Sequence, residues 1–302
     1  MMTIKLNKVS KSFGKFKAVD EVDLIIKQGS IQGLLGSNGA GKTTLLKLIA
    51  GIYKSDSGYI TVNDVDIFED TNYKSHMIFI SDIPYFFGHA SLDEMSEFYK
   101  LMFPNFSEER YKQLVKVLNM NPSKKIAKLS KGMQRQCAFI LGIAARPDVM
   151  LLDEPFDGLD PIVRHTIKNI LIQDVTNHDM ALFVSSHNLR EMEDFCDAVT
   201  LMHEGHVLMT RDLDDLKGNV AKIQMAFSTL PDASFYKGMN VIDKVIKGRV
   251  VTCIVKDNLN SVEEYITAAD PLLYDILPLT LEEIFTYELG GYGYAIENII
   301  VE

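Results

Sequence analysis

The chain has 302 residues, 47% of them hydrophobic and 24% charged, with a formal net charge of −10. So much apolar material builds a sizeable core without disulfides or structural metal, in one large domain or two modest ones. The acidic balance argues against nonspecific nucleic-acid binding, which needs clustered Lys and Arg. Cys137, Cys196 and Cys253 stand alone, without CxxC or Cys/His spacing, which argues against zinc and suits a reducing compartment.

The N-terminus, Met1 to Leu6, alternates polar with apolar residues and lacks the apolar run of a signal peptide. Strands are expected at Ile4–Val9, Val22–Ile26 and Ile31–Leu35, then a helix at Lys42–Ala50. Strands at Tyr59–Val62 and Met77–Ser81 follow, with helices at Leu92–Met102, Glu108–Leu118 and Lys131–Ala144. Next come a strand at Val149–Asp153, a helix at Pro161–Val175, a strand at Ala181–Ser185 and a helix at Asn188–Phe195. Strands at Ala198–Met202 and Val207–Met209 close this part. Alternating strands and helices predict a parallel α/β core, and the first strands, with no helices between them, an antiparallel sheet packed on it. A break is expected near Lys217-Gly218-Asn219. Beyond it, strands at Ala221–Ala226, Val241–Ile246 and Val250–Val255 and helices at Val262–Ala268 and from Thr280 to about Glu288 predict a small α/β accessory segment. Gly290 to Tyr294 reads as a turn. No stretch approaches the roughly 18 apolar residues of a spanning helix, so a membrane role must run through a partner.

Gly36-Ser37-Asn38-Gly39-Ala40-Gly41-Lys42-Thr43 matches GxxxxGK[ST] without a mismatch, between an apolar strand and an apolar-periodic helix. In that context the glycines let backbone N–H groups curl around phosphate oxygens, and the helix beginning near Lys42 adds its positive dipole end. Lys42 is expected to reach the β and γ phosphates and Thr43 to put its hydroxyl on Mg²⁺. Val149 to Glu154 is an apolar strand ending in two acids, placed where parallel sheets present ligand-binding groups. Asp153 suits Mg²⁺, and Glu154 is positioned to polarise an attacking water.

Leu129-Ser130-Lys131-Gly132-Met133-Gln134 decides among phosphate-loop enzymes. It resembles the LSGGQ signature of ATP-binding-cassette proteins, with Lys at the third position, and Ser130 lies 23 residues before Asp153 as in that family. Other marks of the family follow in order over residues 3–215. Phe13 resembles the aromatic that stacks on adenine, Gly158-Leu159-Asp160 the D-loop, and His187, 34 residues past Asp153, the switch histidine that contacts the γ-phosphate. Asp160 before Pro161 also reads as a helix N-cap with an N1 proline.

The resemblance implies a phosphate-loop α/β core on residues 1–218, with an N-terminal antiparallel subdomain and a helical subdomain at about 84–146, and an accessory domain on 219–302. It implies ATP bound by Phe13, residues 36 to 43, Thr44, Ser130, Gly132 and Asp160, with Mg²⁺ at Thr43, Asp153 and Asp82. Glu154, His187 and Asp82 would serve catalysis. Two cassettes, alike or different, would pair head to tail, so that Ser130 and Gly132 serve the opposite chain's ATP. A separate integral membrane subunit would be driven from the cytoplasmic face, with no nucleic acid involved.

The chain departs from the family at three points. The Gln expected after Met77–Ser81 is replaced by Asp82, which accepts hydrogen bonds but cannot donate as an amide does. Lys131 stands where a small residue is usual, and Asp157 precedes Gly158. Tyr85, Phe86, Phe87, Phe98, Tyr99 and Phe103 make the following stretch aromatic, partly core and partly a groove for a partner's helix. Lys131, Asp82 and Thr280 to Phe285 resemble an export branch that moves peptide antibiotics, lantibiotics and amphipathic toxins. Two rival readings are a soluble ATP-gated switch and a phosphate-loop kinase. A single cassette, a segment 52–128 too short for a coiled-coil insertion, and the signature argue against them.

Overall fold

The computed structural model describes residues 3–218, 220–256, 259–277 and 279–284. The chain divides into two compact units between Thr210 and Arg211, ahead of the expected break at Lys217 to Asn219.

The first unit opens with β1 (Thr3–Phe13), β2 (Phe16–Lys27), β3 (Ile31–Leu35), α1 (Lys42–Ile49), β4 (Ser57–Val62) and β5 (Val65–Asp66). It continues with α2 (Thr71–Ser75), β6 (Met77–Ile80), α3 (Leu92–Met102), α4 (Glu108–Val117) and α5 (Lys131–Ala144). It ends with β7 (Val149–Asp153), α6 (Pro161–His178), β8 (Ala181–Ser186), α7 (Leu189–Glu193), β9 (Ala198–His203) and the first five residues of β10 (His206–Asp212). One sheet has the order β2-β1-β4-β5, the other β10-β9-β3-β8-β7-β6. In the second, β6, β7, β8, β3 and β9 run parallel. Every residue of β3, β7 and β8 is buried, as strands covered on both faces require. A common core joins Ile4, Leu6 and Leu24 of the antiparallel sheet, Leu45, Leu46 and Ile49 of α1, and Leu151 and Phe183 of the parallel sheet. Helix α1 is therefore held by apolar packing on both sheets, which fixes the loop in front of it.

The helices start where their caps dictate. Ser91 and Glu94 form a reciprocal capping box on α3, Ser107 caps α4, Ser130 caps α5, and Asp160 with Pro161 starts α6. Strands β1 and β2 outrun the expected segments because cross-strand pairing continues through polar residues to Phe13↔Phe16 at the hairpin tip. Strand β5 and helix α2 were not expected from the sequence. Neither is long enough to show a period; α2 exists because Asp70 caps it and the Tyr73 hydroxyl donates to the Ile49 carbonyl at 3.0 Å.

The second unit holds α8 (Leu213–Gly218), β11 (Ala221–Ala226), β12 (Val241–Lys247), β13 (Val250–Val255), α9 (Leu259–Ala268) and β14 (Leu273–Leu277). Its antiparallel sheet has the order β12-β13-β11-β14, a split β-α-β plan in which a 3₁₀ turn at Phe235–Gly238 replaces the first helix. Ile223, Met225, Val251 and Cys253 pack with Val262 and Ile266 of α9. Strand β14 was not anticipated; its residues alternate only weakly in burial, and pairing with β11 creates it. Residues 281–284 are helical, and the rest of the helix expected to Glu288 and the turn at Gly290 to Tyr294 lie outside the described residues.

Candidate functional site

The loop between β3 and α1 is pressed so tightly that two of its glycines have no substitute. A Cβ at Gly36 would sit 2.3 Å from the Met202 carbonyl oxygen, and one at Gly41 2.2 Å from that of Ala18, with Gly41 at φ 106°. Gly41 is the N-cap of α1 and supplies no side-chain cap, so the first N–H groups of α1 remain available to an anion.

Lys42 is buried, and its ammonium folds back on the loop, donating to the carbonyls of Gly36 at 2.6 Å and Ser37 at 3.2 Å. The same nitrogen lies 3.2 Å from Glu154 Oε1. That oxygen accepts no hydrogen bond, so the attraction is an ion pair without an aligned N–H, and the oxygen keeps acceptor capacity. Glu154 Oε2 lies 3.0 Å from His187 Nδ1. The Thr43 hydroxyl donates to Asp153 Oδ2 at 2.8 Å. The Ser185 hydroxyl donates to Asp153 Oδ1 at 2.7 Å and accepts from the Glu154 N–H at 3.0 Å.

Topology makes these meetings. Strands β7 and β8 are parallel neighbours in the register Asp153↔Ser185, and β8 also pairs with β3, so three carboxyl ends open on one edge. Glu154 leaves β7 at φ 44°, a conformation that costs a non-glycine residue energy and turns its carboxylate toward Lys42 and His187. The carboxylates of Glu154 and Asp157 and the His187 ring also bring one ligand atom each within 4.8 Å of one another.

A cleft of about 330 Å³ lies over this network, lined by Phe16, Ala18, residues 37–44, Asp82, Asp153 and Glu154. A larger depression of about 860 Å³ on the antiparallel sheet holds none of these groups. Chemistry rather than size marks the smaller one.

The structure gathers Ser37 to Thr44, Asp82, Asp153 and Glu154 on one cleft, with His187 bonded to Glu154. Phe13 is 45% exposed at the hairpin tip with its ring edge-on to Tyr53, while Phe16 at the other side of the turn is the aromatic on the cleft wall. Ser130 caps α5 by accepting from the Met133 N–H at 3.3 Å, and Gly132 faces the Gly158 carbonyl so closely that a Cβ would lie 3.1 Å from it. Asp160 accepts from the Ile162 N–H at 2.9 Å. These three residues lie off the cleft lining. Asp82 is engaged by Arg135, whose Nη2 donates to its Oδ1 at 2.6 Å and to its carbonyl at 2.5 Å. Ser185, Arg135 and Phe16 carried no expected role from the sequence. Ser185 lies one residue short of the end of β8 and two before His187, a usable signal; Arg135 on α5 gave none.

A glycine loop entering a helix, with a lysine, a threonine and two strand-end acids around it, defines a phosphate-loop nucleotide-binding domain. The family model described as ABC transporter matches residues 19–157, and one described as AAA domain, putative AbiEii toxin, Type IV TA system, matches residues 124–193. The ABC transporter ATP-binding protein YtrB of Bacillus subtilis (strain 168) is 30% identical over 289 residues, 95% of this chain and 98% of that protein. The bacitracin transport ATP-binding protein BcrA of Bacillus licheniformis is 29% identical over 217 residues, 71% of each chain. Among solved structures, an ATP-binding subunit of an ABC transporter superposes with a TM-score of 0.65 at 25% identity, covering 71% of this chain and 91% of that one. The dimeric cassette MJ0796 has a TM-score of 0.63 at 22% identity, covering 70% of this chain and 98% of that one, and shares the fold. The chain belongs to the ATP-binding proteins of ABC transporters, and it binds ATP and is an ATPase. Among the described residues, no helix is long and apolar enough to cross a membrane.

Proposed function

We propose that this chain energises a multi-subunit exporter, driving a peptide, antibiotic or other amphipathic compound through a separate membrane protein at whose cytoplasmic face it sits. Residues 1–218 form its nucleotide-binding domain and 219–302 an accessory domain. The observation that carries the reading is the Lys42–Glu154–His187 chain beside the Thr43–Asp153 pair, at the mouth of a glycine loop.

Lys42 exchanges the Gly36 and Ser37 carbonyls for the β and γ phosphates, whose oxygens the N–H groups of residues 37–44 surround. Thr43, Asp153 and Asp82 are hard oxygen donors on one cleft, a set that fits Mg²⁺. When bound, that ion supplies charge neutralisation at the phosphates. Glu154, with one acceptor oxygen open, takes the proton of the attacking water, and His187 orients that carboxylate and meets the γ-phosphate. Phe13 stacks on adenine. Ser130, Gly132 and Asp160 lie off this cleft, and Ser130 and Gly132 serve the ATP of a second cassette.

Support for a membrane partner comes from the exposed apolar residues that follow Asp82 in the chain. Ile83, Tyr85, Phe87, Phe98, Leu101 and Met102 are all exposed and suit an apolar helix from another protein. Support for the cargo class comes from the bacitracin transport relative.

Glu154→Gln tests the site. It retains ATP binding and stops proton removal, so it accumulates an ATP-bound dimer on size exclusion, whereas wild-type turnover rises faster than linearly with protein concentration. A mutant that stays monomeric with ATP, together with linear wild-type kinetics, rejects the shared site. Native protein recovered without any integral membrane protein rejects the exporter.

A further inference from the structure

Arg135 lies in the second turn of α5 and is buried, its side chain 10% exposed. A buried guanidinium is costly unless its donors are met. Here three acceptors come from two segments distant in sequence. Nη2 binds the carboxylate and the carbonyl of Asp82, just beyond β6, and Nη1 binds the carbonyl of Asp157, just before Gly158. The planar fork suits several oxygens at once, which a lysine ammonium does not reproduce. The Asp82 carboxylate also lines the phosphate cleft, where its charge would repel a nucleotide; the guanidinium beside it offsets that repulsion.

The geometry points to Arg135 as a positioning residue that holds Asp82 and the Asp157 main chain in register with α5, and so ties each cassette's own cleft to the helix serving the opposite one. The inference rests on the shared-site reading above. Asp82 works as half of an ion pair, and its partner comes from the helix that Ser130 starts. Movement of α5 toward a second subunit's phosphates carries the Asp82 carboxylate and the Asp157 carbonyl with it. Of the described residues that line the cleft, Arg135 hydrogen-bonds to Asp82, so its effect falls on turnover rather than on nucleotide capture.

Purified full-length wild type, Arg135→Gln, Arg135→Lys, Asp82→Asn and the double variant Asp82→Asn/Arg135→Gln are compared for kcat and KM with MgATP, with melting temperatures alongside. Losing a charge-assisted hydrogen bond that positions a reacting group lowers kcat about tenfold in each single variant, with KM moving less than about threefold. Arg135→Lys stays impaired, and the double variant falls within about threefold of the worse single, because both changes break one coupling. A roughly hundredfold multiplicative loss in the double variant overturns the proposal. So does full activity of Arg135→Lys, or a raised KM at unchanged kcat. If Arg135→Gln does not fold, Asp82→Asn and Arg135→Lys carry the comparison, and unchanged kcat in either overturns it. Wild-type turnover that rises only linearly with protein concentration counts against the shared-site reading, whereas an active wild type with fully active Arg135 variants rejects this inference alone.

Discussion

Ser185→Ala removes one oxygen atom and tests how the acids at the end of β7 are held. The hydroxyl is fully buried; it donates to the Asp153 carboxylate at 2.7 Å and accepts from the Glu154 N–H at 3.0 Å. A hydrogen bond to a charged group contributes about 1.5–3 kcal/mol, and a buried N–H left unpaired costs about 1–3 kcal/mol. Alanine fits the space, so no packing term opposes these losses, and the expected destabilisation is about 3 kcal/mol. For a unit of this size that lowers the melting temperature by about 6–12 °C. Glu154 sits at φ 44°, and the Ser185 contact is one of the restraints that hold it there. Its carboxylate therefore loses its fixed direction, and kcat falls about tenfold or more below the melting temperature. Differential scanning calorimetry and steady-state ATP hydrolysis at a permissive temperature read the two effects. A variant that melts within a degree of wild type and hydrolyses ATP at the wild-type rate would refute the reasoning.

Two further outcomes are expected. Phe13→Ala removes an exposed ring proposed to stack on adenine; at about 1–3 kcal/mol per stacked base, ATP affinity measured by calorimetric titration drops about tenfold or more while stability stays near wild type. An unchanged Kd assigns the adenine to Phe16 or elsewhere. Glu94 pairs with Lys125 and accepts from the Ser91 N–H, and these contacts hold its carboxyl down from 4.5 to about 2. A lowered folded-state pKa means the ionised form stabilises α3 above the unfolded-state value and the contribution is lost as pH falls toward about 2. The gap in urea midpoint between wild type and Glu94→Gln is thus constant above pH 5 and narrows steadily below it. A gap of equal size at pH 6 and pH 3 contradicts the assignment.

The elements most legible in the sequence were those whose cause is local. The phosphate loop is contiguous, its glycines are demanded by backbone geometry, and strand and helix flank it within a few residues. Asp160 before Pro161 announced its helix because an N-cap acts over three residues. Burial runs such as Val149–Asp153 and Ala181–Ser186 are continuous because parallel strands are covered on both faces. Elements that owe their existence to a neighbour escaped: β14 forms on β11, and β5 on β4.

By itself, then, the sequence determined the kind of chemistry, since the groups that contact phosphate or metal are carried on short segments with their own backbone rules. Only the tertiary structure decided how those groups restrain one another. Ser185 meets Asp153 because β7 and β8 are laid side by side in one register. Arg135 meets Asp82 and Asp157 because α5 packs on β6, and Glu154 turns toward Lys42 and His187 through a strained backbone angle. Such contacts join residues tens of positions apart. Their strength comes from pairing charged groups with fixed partners where little water competes, and the partners exist only once the sheet has formed.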